Sequence, residues 1–240
     1  VLVFMLGFKN HIFSSQSGWQ DIGAGSLDVR TVCLDGDNPG VIYIGSGNRV
    51  LKTEDAGRSW RALLSINGRE KRVNFLYFNP QDKNSIYAAS DNGLFYSLDR
   101  GRSWRRIFQG RGYPESKCRG LVISKNNIYL ATARGLLFSR DNGRNWHKVQ
   151  GLCSQEISNI ACDRREPDFI YVSCPAGLFK SSDGGYSWKK VFFVSRAEEE
   201  AGEDGECAGT EDAGNVYIDP NDTSHVYLST PKGVYASRDK

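Results

Sequence analysis

The sequence predicts an all-β protein, a β-propeller of four-stranded blades, with about five blades within its 240 residues. Three observations predict it. A turn motif of Asp, Gly and Trp recurs at fixed spacing. A Tyr precedes each motif Asp at a constant interval. Short apolar runs bounded by turn residues fall four to a unit.

The motif reads TEDAGRSW (53–60), SLDRGRSW (97–104), SRDNGRNW (139–146) and SSDGGYSW (181–188), with the start of another, SRDK, at 237–240. Tyr43, Tyr87, Tyr129, Tyr171 and Tyr227 lie 12 residues before Asp55, Asp99, Asp141, Asp183 and Asp239, and each follows Ile or Val. The Asp-to-Asp spacings are 44, 42, 42 and 56. Agreement at an internal offset in every copy marks a structural repeat. In the fourth unit, ISNIAC (157–162), FIYVS (169–173), LFKS (178–181) and SWKKVFFV (187–194) are β-branched and aromatic runs, and DRREPD, CPAG and the Asp motif separate them. A lone four-stranded sheet exposes both faces, so packing sheets around an axis supplies the core.

The units fall near 17–60, 61–104, 105–146, 147–188 and 189–240. GWQDI (18–22) carries the Trp of a fourth strand without a motif before it, and the last unit supplies three strands. That N-terminal strand could complete the last blade and close five. The expectation favoured here is a piece of a propeller with six to eight blades. Residues 1–16 begin with VLVFMLGF and continue into a polar stretch, which reads as the remnant of a signal peptide and places the protein outside the cytosol: periplasmic, extracellular or lumenal.

With 39% hydrophobic and 25% charged residues the chain is globular, and no apolar run reaches the 18 or so residues of a membrane-spanning helix. Six Cys form no C-x-x-C pair and only three His are present, so neither a metal site nor a cofactor is expected. Export would allow one or two disulfides. Cys207 could tether its loop to Cys174 or Cys153.

Within the motif the chemistry points to a hairpin turn. The carboxylate accepts backbone N–H bonds, the Gly takes a positive φ, the hydroxyl two residues before the Asp cross-links the turn, and the Trp starts the outer strand. Asp55, Gly57 and Trp60, Asp99, Gly101 and Trp104, Asp141, Gly143 and Trp146, and Asp183, Gly185 and Trp188 are therefore read as structural. These residues resemble the Asp-box, or bacterial neuraminidase repeat (BNR), of sialidases, xyloglucan-hydrolysing propellers, sortilin-type receptors and photosystem II assembly factors. The resemblance spans nearly all of residues 17–240. In build, the chain is most similar to the assembly factors and sortilin-like repeat proteins. It implies a propeller with its boxes on the face away from the usual binding surface, and it does not choose between enzyme and binding protein.

A sialidase would need an arginine triad, a Tyr–Glu pair and an F/Y-R-I-P motif, whereas WRRIFQ (104–109) lacks the Pro. Asp28, Asp35, Asp91 and Glu156 remain as acids for a two-carboxylate hydrolase only by elimination; no catalytic residue is assigned. The connections joining fourth to first and second to third strands share one face. There Arg49, Arg72, Arg111, Arg119, Arg134 and Lys232, with Arg69, Lys71 and Lys117, form a candidate basic binding face. Arg58, Arg102 and Arg144 follow the motif Gly and read as a turn preference. Eight of the 28 acidic residues lie in 197–214, so the remaining 20 face 31 basic ones, a basic body with an acidic insertion. The insertion reads as a solvated loop, with a lid or a weak calcium site as sharper alternatives; the D-x-D-x-D-G spacing of the latter is missing. The leading reading is a non-catalytic binding or assembly-scaffold propeller that recognises a protein or glycan through its loop face. The alternative is a glycoside hydrolase, sialidase-like or β-glucan-active. Nucleic acid is not expected, for want of a recognised binding motif, and the sequence leaves the oligomeric state open.

Overall fold

The structure, a computed structural model, describes residues 22–24, 27–69, 71–152, 156–192 and 213–240. The expectations for residues 1–16, 18–21 and 197–212, and for Cys153 and Cys207, lie outside the described residues.

The chain is all-β, with the architecture of propeller blades. Blade 1 contains β1 (Val29–Leu34), β2 (Ile42–Ser46), β3 (Arg49–Thr53) and β4 (Arg61–Ser65). Blade 2 contains β5 (Val73–Asn79), β6 (Asp82–Ser90), β7 (Gly93–Ser97) and β8 (Arg105–Phe108). Blade 3 follows with β9 (Cys118–Ser124), β10 (Asn127–Thr132), β11 (Gly135–Ser139) and β12 (His147–Lys148). Blade 4 has β13 (Asn159–Cys162), β14 (Ile170–Cys174), β15 (Gly177–Ser181) and β16 (Lys189–Phe192). Blade 5 has three described strands, β17 (Val216–Ile218), β18 (Val226–Thr230) and β19 (Gly233–Ser237). Each sheet is an antiparallel meander in sequence order. The 2–3 turns and blade-to-blade connections therefore share one end of every sheet, and the 1–2 turns and Asp turns share the other.

The inner strands β1, β5, β9, β13 and β17 lie side by side in succession. The apolar core sits in the seams between blades. One cluster joins Tyr43 and Val50 of blade 1 to Val73, Leu76 and Ile86 of blade 2. Others join Tyr87 and Leu94 to Leu121 and Ile128, Tyr129 and Leu136 to Ile160 and Ile170, and Tyr171 and Leu178 to Val216 and Val226.

The strand register shows why the same positions recur. Val50, Leu94, Leu136, Leu178 and Val234 occupy one site, second in the third strand, opposite a small residue (Gly45, Ala89, Ala131, Ser173, Ser229). The first four are 0–5% exposed because the next blade covers them, whereas Val234 in blade 5 is 74% exposed. The repeated Tyr lies on the same face and braces the seam. The Tyr43 hydroxyl donates to Arg100 O across 3.2 Å, and the Tyr129 hydroxyl donates to Gly184 O. In both cases the acceptor directly follows the Asp of the next blade's turn. Tyr87 instead stacks on Tyr96 at 4.5 Å. At the corresponding place for Tyr171, Lys240 O accepts from Lys180 Nζ, and the Tyr171 hydroxyl is buried without a hydrogen bond.

The seam assignment predicts unequal effects of equal truncations. Leu136→Ala is expected to destabilise the chain by about 2–5 kcal/mol, while Val234→Ala changes stability by no more than about 0.5 kcal/mol. Urea unfolding followed by tryptophan fluorescence reads both, and equal losses would contradict the assignment.

Candidate binding site

The Asp turns are closed on themselves. Thr53, Ser97, Ser139 and Ser181 each donate to Oδ1 of the Asp two residues on, over 2.7–2.8 Å, and accept the N–H of the turn Gly over 2.8–2.9 Å. The same Oδ1 accepts the amide of Ser59, Ser103, Asn145 or Ser187, and Oδ2 accepts that residue's side chain over 2.5–2.6 Å. These bonds favour the ionised form and hold all four carboxyls at about 2, below the ordinary 3.8. For Asp55 and Asp99 the hydroxyl of Ser59 or Ser103 is the largest cause, and for Asp141 the Asn145 amide N–H. For Asp183 slight burial opposes the shift and the Ser187 bonds outweigh it.

The turn Gly is required twice over. Gly101 and Gly143 have φ of +87° and +81°, and a Cβ there would stand 2.7 Å from Leu63 Cδ1 or 2.8 Å from Ile107 Cδ1 of the preceding blade. Ile22, three residues after Trp19 as Leu63 and Ile107 are after Trp60 and Trp104, meets Gly57 in the same way. Trp104, Trp146 and Trp188 pack into the seam with the preceding blade. The turn residues are thus committed to the scaffold, with both oxygens of each carboxylate engaged within its own turn.

At the centre of the blades is a cleft of about 900 Å3, lined by inner-strand residues. In blades 1–3 the inner strand carries a β-bulge, between Val29 and Thr31, Val73 and Phe75, and Cys118 and Gly120. The extra residues are Arg30, Asn74 and Arg119. In blade 4 Ser158 takes that place, its N–H bonding Ser173 O before the ladder starts at Asn159. In blade 5 that place falls to Gly214, whose N–H bonds Ser229 O, and the polar residue is its neighbour Asn215, whose N–H bonds Ser229 Oγ. Arg30, Asn74, Arg119, Ser158 and Asn215 all line the cleft. A bulge re-aims one side chain per strand without disturbing the alternation on either side. The result in blades 1–3 is one polar group per blade directed at a common space, which Ser158 and Asn215 of blades 4 and 5 also line.

Among the described residues lining the cleft, Glu156 is the only carboxylate. The Arg119 guanidinium grips it, and Lys117 Nζ lies 3.6 Å away. Asn74 bridges two blades, donating to Asp91 Oδ1 at 2.9 Å and to Cys118 O at 2.8 Å. The cleft therefore offers guanidinium, amide and hydroxyl donors around one compensated acid. Of the other acids considered for hydrolysis, Asp28 contacts Arg30 at 3.2 Å, and Asp35 lies at the opposite end, bound to Arg100 at 2.8 Å.

The loop-face residues divide. Arg49, Arg72, Arg111, Arg134 and Lys232 are exposed at the 2–3 turns and blade connections, and Arg119 alone of the six enters the cleft. Arg30, Asn74, Ser158 and Asn215 were missed; the readable trace is a polar residue at the start of each first strand, 22–25 residues before the motif Asp. Cys174, the last residue of β14, is disulfide-bonded, and its partner lies outside the described residues. Cys33, Cys118 and Cys162 are free thiols. Among the described residues, no cluster of His, Cys, Asp and Glu is placed to hold a metal ion, and no helix is long and apolar enough to cross a membrane.

No protein-family profile matches the chain, and no curated protein matches it. Similar solved structures are propellers. The GH74 xyloglucanase from Xanthomonas campestris aligns with a TM-score of 0.66 at 20% identity, over 87% of this chain and 36% of that one. The extracellular domain of the two-component system protein BT4673 from B. thetaiotaomicron gives 0.65 at 15% identity, over 88% of this chain and 27% of that one. YCF48 from Cyanidioschyzon merolae gives 0.58 at 13% identity, over 89% of this chain and 67% of that one. The chain thus spans about a quarter to a third of the first two, and the likeness to all three is one of fold.

The closed turns predict acid sensitivity. A carboxyl with a folded value of about 2, against 3.8 ordinarily, contributes stability above pH 3.8 that is lost as pH falls through 2. The urea midpoint is expected to fall across that window, and to fall less in Asp141→Asn, which has one such group fewer. A midpoint independent of pH between 4 and 2 would contradict the turn geometry.

Proposed function

We propose that this chain is a non-catalytic, Asp-box-type binding propeller that recognises an acidic segment of a partner protein at the cleft and its basic loop rim. The observation that carries the reading is the set of polar groups converging on one cleft, Arg30, Asn74 and Arg119 directed there by bulges and Ser158 and Asn215 lining it in blades 4 and 5. An acidic segment can replace Glu156 as the acceptor for Arg119 and Lys117, and the exposed Arg49, Arg72, Arg111, Arg134 and Lys232 would steer it. One protein of similar fold, YCF48, has been solved bound to D1 peptide; that alignment has a TM-score of 0.55 and 13% identity. We place the protein outside the cytosol. The Cys174 disulfide suits an oxidising compartment, and similar folds include extracellular bacterial domains.

A glycoside-hydrolase reading is favoured by a carboxylate in the cleft, Glu156, on a fold shared with GH74 enzymes. It requires a second carboxylate facing the first, and the described lining supplies none.

Substitution of Glu156 separates the two readings. Binding of a fluorescein-labelled Asp/Glu-rich decapeptide is expected to tighten several-fold in Glu156→Gln, because the internal competitor is gone. In Arg30→Gln/Arg119→Gln it should weaken about tenfold, in line with about 1.4 kcal/mol for a charged contact. Hydrolysis of xyloglucan or a sialoside by the wild type that is abolished in Glu156→Gln would overturn the proposal.

A further inference from the structure

We propose that the outer rim of blades 2–4 is a second binding surface, for a flexible linear polyanion without aromatic bases, of the sulfated-polysaccharide class. This surface is distinct from the cleft and does not depend on the reading given to it. The fourth strands begin directly after the motif Trp with exposed basic pairs: Arg105 and Arg106 in β8, His147 and Lys148 in β12, Lys189 and Lys190 in β16. Arg102 and Arg144, in the Asp turns, add exposed charges beside them.

Among the described residues no acid stands at ion-pair distance from Arg102, Arg105, Arg106, Arg144, Lys148 or Lys189, whereas Lys117 and Arg119 of the loop face share Glu156. The turn carboxylates Asp99, Asp141 and Asp183 close by stay ionised but bond their own hydroxyls and amides, and these three charges face six such cations. In blade 1 the rim carries Glu54, which pairs with Lys52 at 2.5 Å and lies within the fields of Arg61 and Arg102. Blades 2–4 have Leu98, Arg140 and Ser182 at that position, so the compensating acid is missing there.

The cations are also preorganised. Arg105 lies over the Tyr96 ring at 5.4 Å and Arg106 over Phe95 at 5.9 Å, which holds one guanidinium against each face of the outer strand. Guarding an edge strand against pairing needs a charge on the strand itself, and the arginines of the adjoining turns exceed that need. The shape and surface narrow the partner. A flat membrane would touch a convex rim at one or two blades, while a flexible chain can follow it. Single-stranded nucleic acid binds through successive open aromatic faces; here arginines cover Phe95, Tyr96 and Phe138, and Tyr186, 71% exposed with Arg140 over its ring, is a single aromatic rather than a stacking series. Sulfate groups fit the planar guanidinium fork as phosphates do.

Heparin is the probe, titrated into the whole chain by calorimetry. The wild type is expected to bind with an affinity that falls linearly in log–log form with salt, as counterion release requires. Arg102→Gln/Arg105→Gln/Arg106→Gln, which keeps part of each stem over its ring, is expected to lose at least tenfold in affinity. Arg49→Gln/Arg72→Gln/Arg134→Gln on the loop face should change it less than twofold, and Arg105→Lys/Arg106→Lys, which keeps the charge and loses the fork, should fall between the wild type and the triple Gln variant, which controls for folding. Absence of heparin binding by the wild type, greater loss in the loop-face variant, or tighter binding of poly(U) RNA or phosphatidylserine vesicles than of heparin would overturn the proposal.

Discussion

Tyr43, Tyr87, Tyr129 and Tyr171, each 12 residues before an Asp of the repeat, belong to one blade by sequence and to the next by packing. Tyr43 and Tyr129 bury their rings in a seam and donate their hydroxyls to the backbone of the neighbouring turn. The turn is rigid enough to receive them because its carboxylate is tied to a hydroxyl, two backbone positions and a second side chain. Its Gly lets the preceding blade approach within contact of the backbone. A single net hydrogen bond is worth about 1 kcal/mol, so no one tyrosine decides the fold. Repetition makes the arrangement decisive, since every described seam buries the same tyrosine position, and in two of them its hydroxyl reaches the next turn.

Placing the core between sheets has a functional consequence. Inner strands packed side by side can bear a bulge, as β1, β5 and β9 do, whose extra side chain projects into the central cleft. A bulge in an isolated sheet would weaken the pairing it interrupts; here Asn74 offsets part of that cost by bonding both its own blade and Cys118 O of the next. The scaffold and the cleft are thus built from different residues of the same repeat. The Asp turns stabilise one end, while the bulges and loops present donors at the other.

Much of the fold was legible because the repeat constrains it. The strands read from ISNIAC, FIYVS, LFKS and SWKKVFFV correspond to β13–β16, and the closed geometry of the Asp turn follows from residue chemistry over eight positions. What the tyrosine touches was not legible, because its acceptor is a backbone carbonyl more than 50 residues away. The site was legible only in part. Arg119 looked like one more surface cation until Glu156, 37 residues on, was seen to share it. Arg30 and Asn74 look like ordinary polar residues in a strand, since a bulge is a property of pairing and leaves no mark in one strand alone. The rim arginines were visible as a repeated feature, yet their lack of acid partners could only come from three-dimensional neighbours.

The central claim is that the Asp turns are scaffold and the bulge-lined cleft is the working surface. Hydrogen–deuterium exchange of the chain, with and without the acidic decapeptide, tests it most directly. The account predicts added protection at the starts of β1, β5 and β9 and in the 2–3 turns, with the four Asp turns unchanged. Added protection confined to the Asp turns, with none around the cleft, would contradict it.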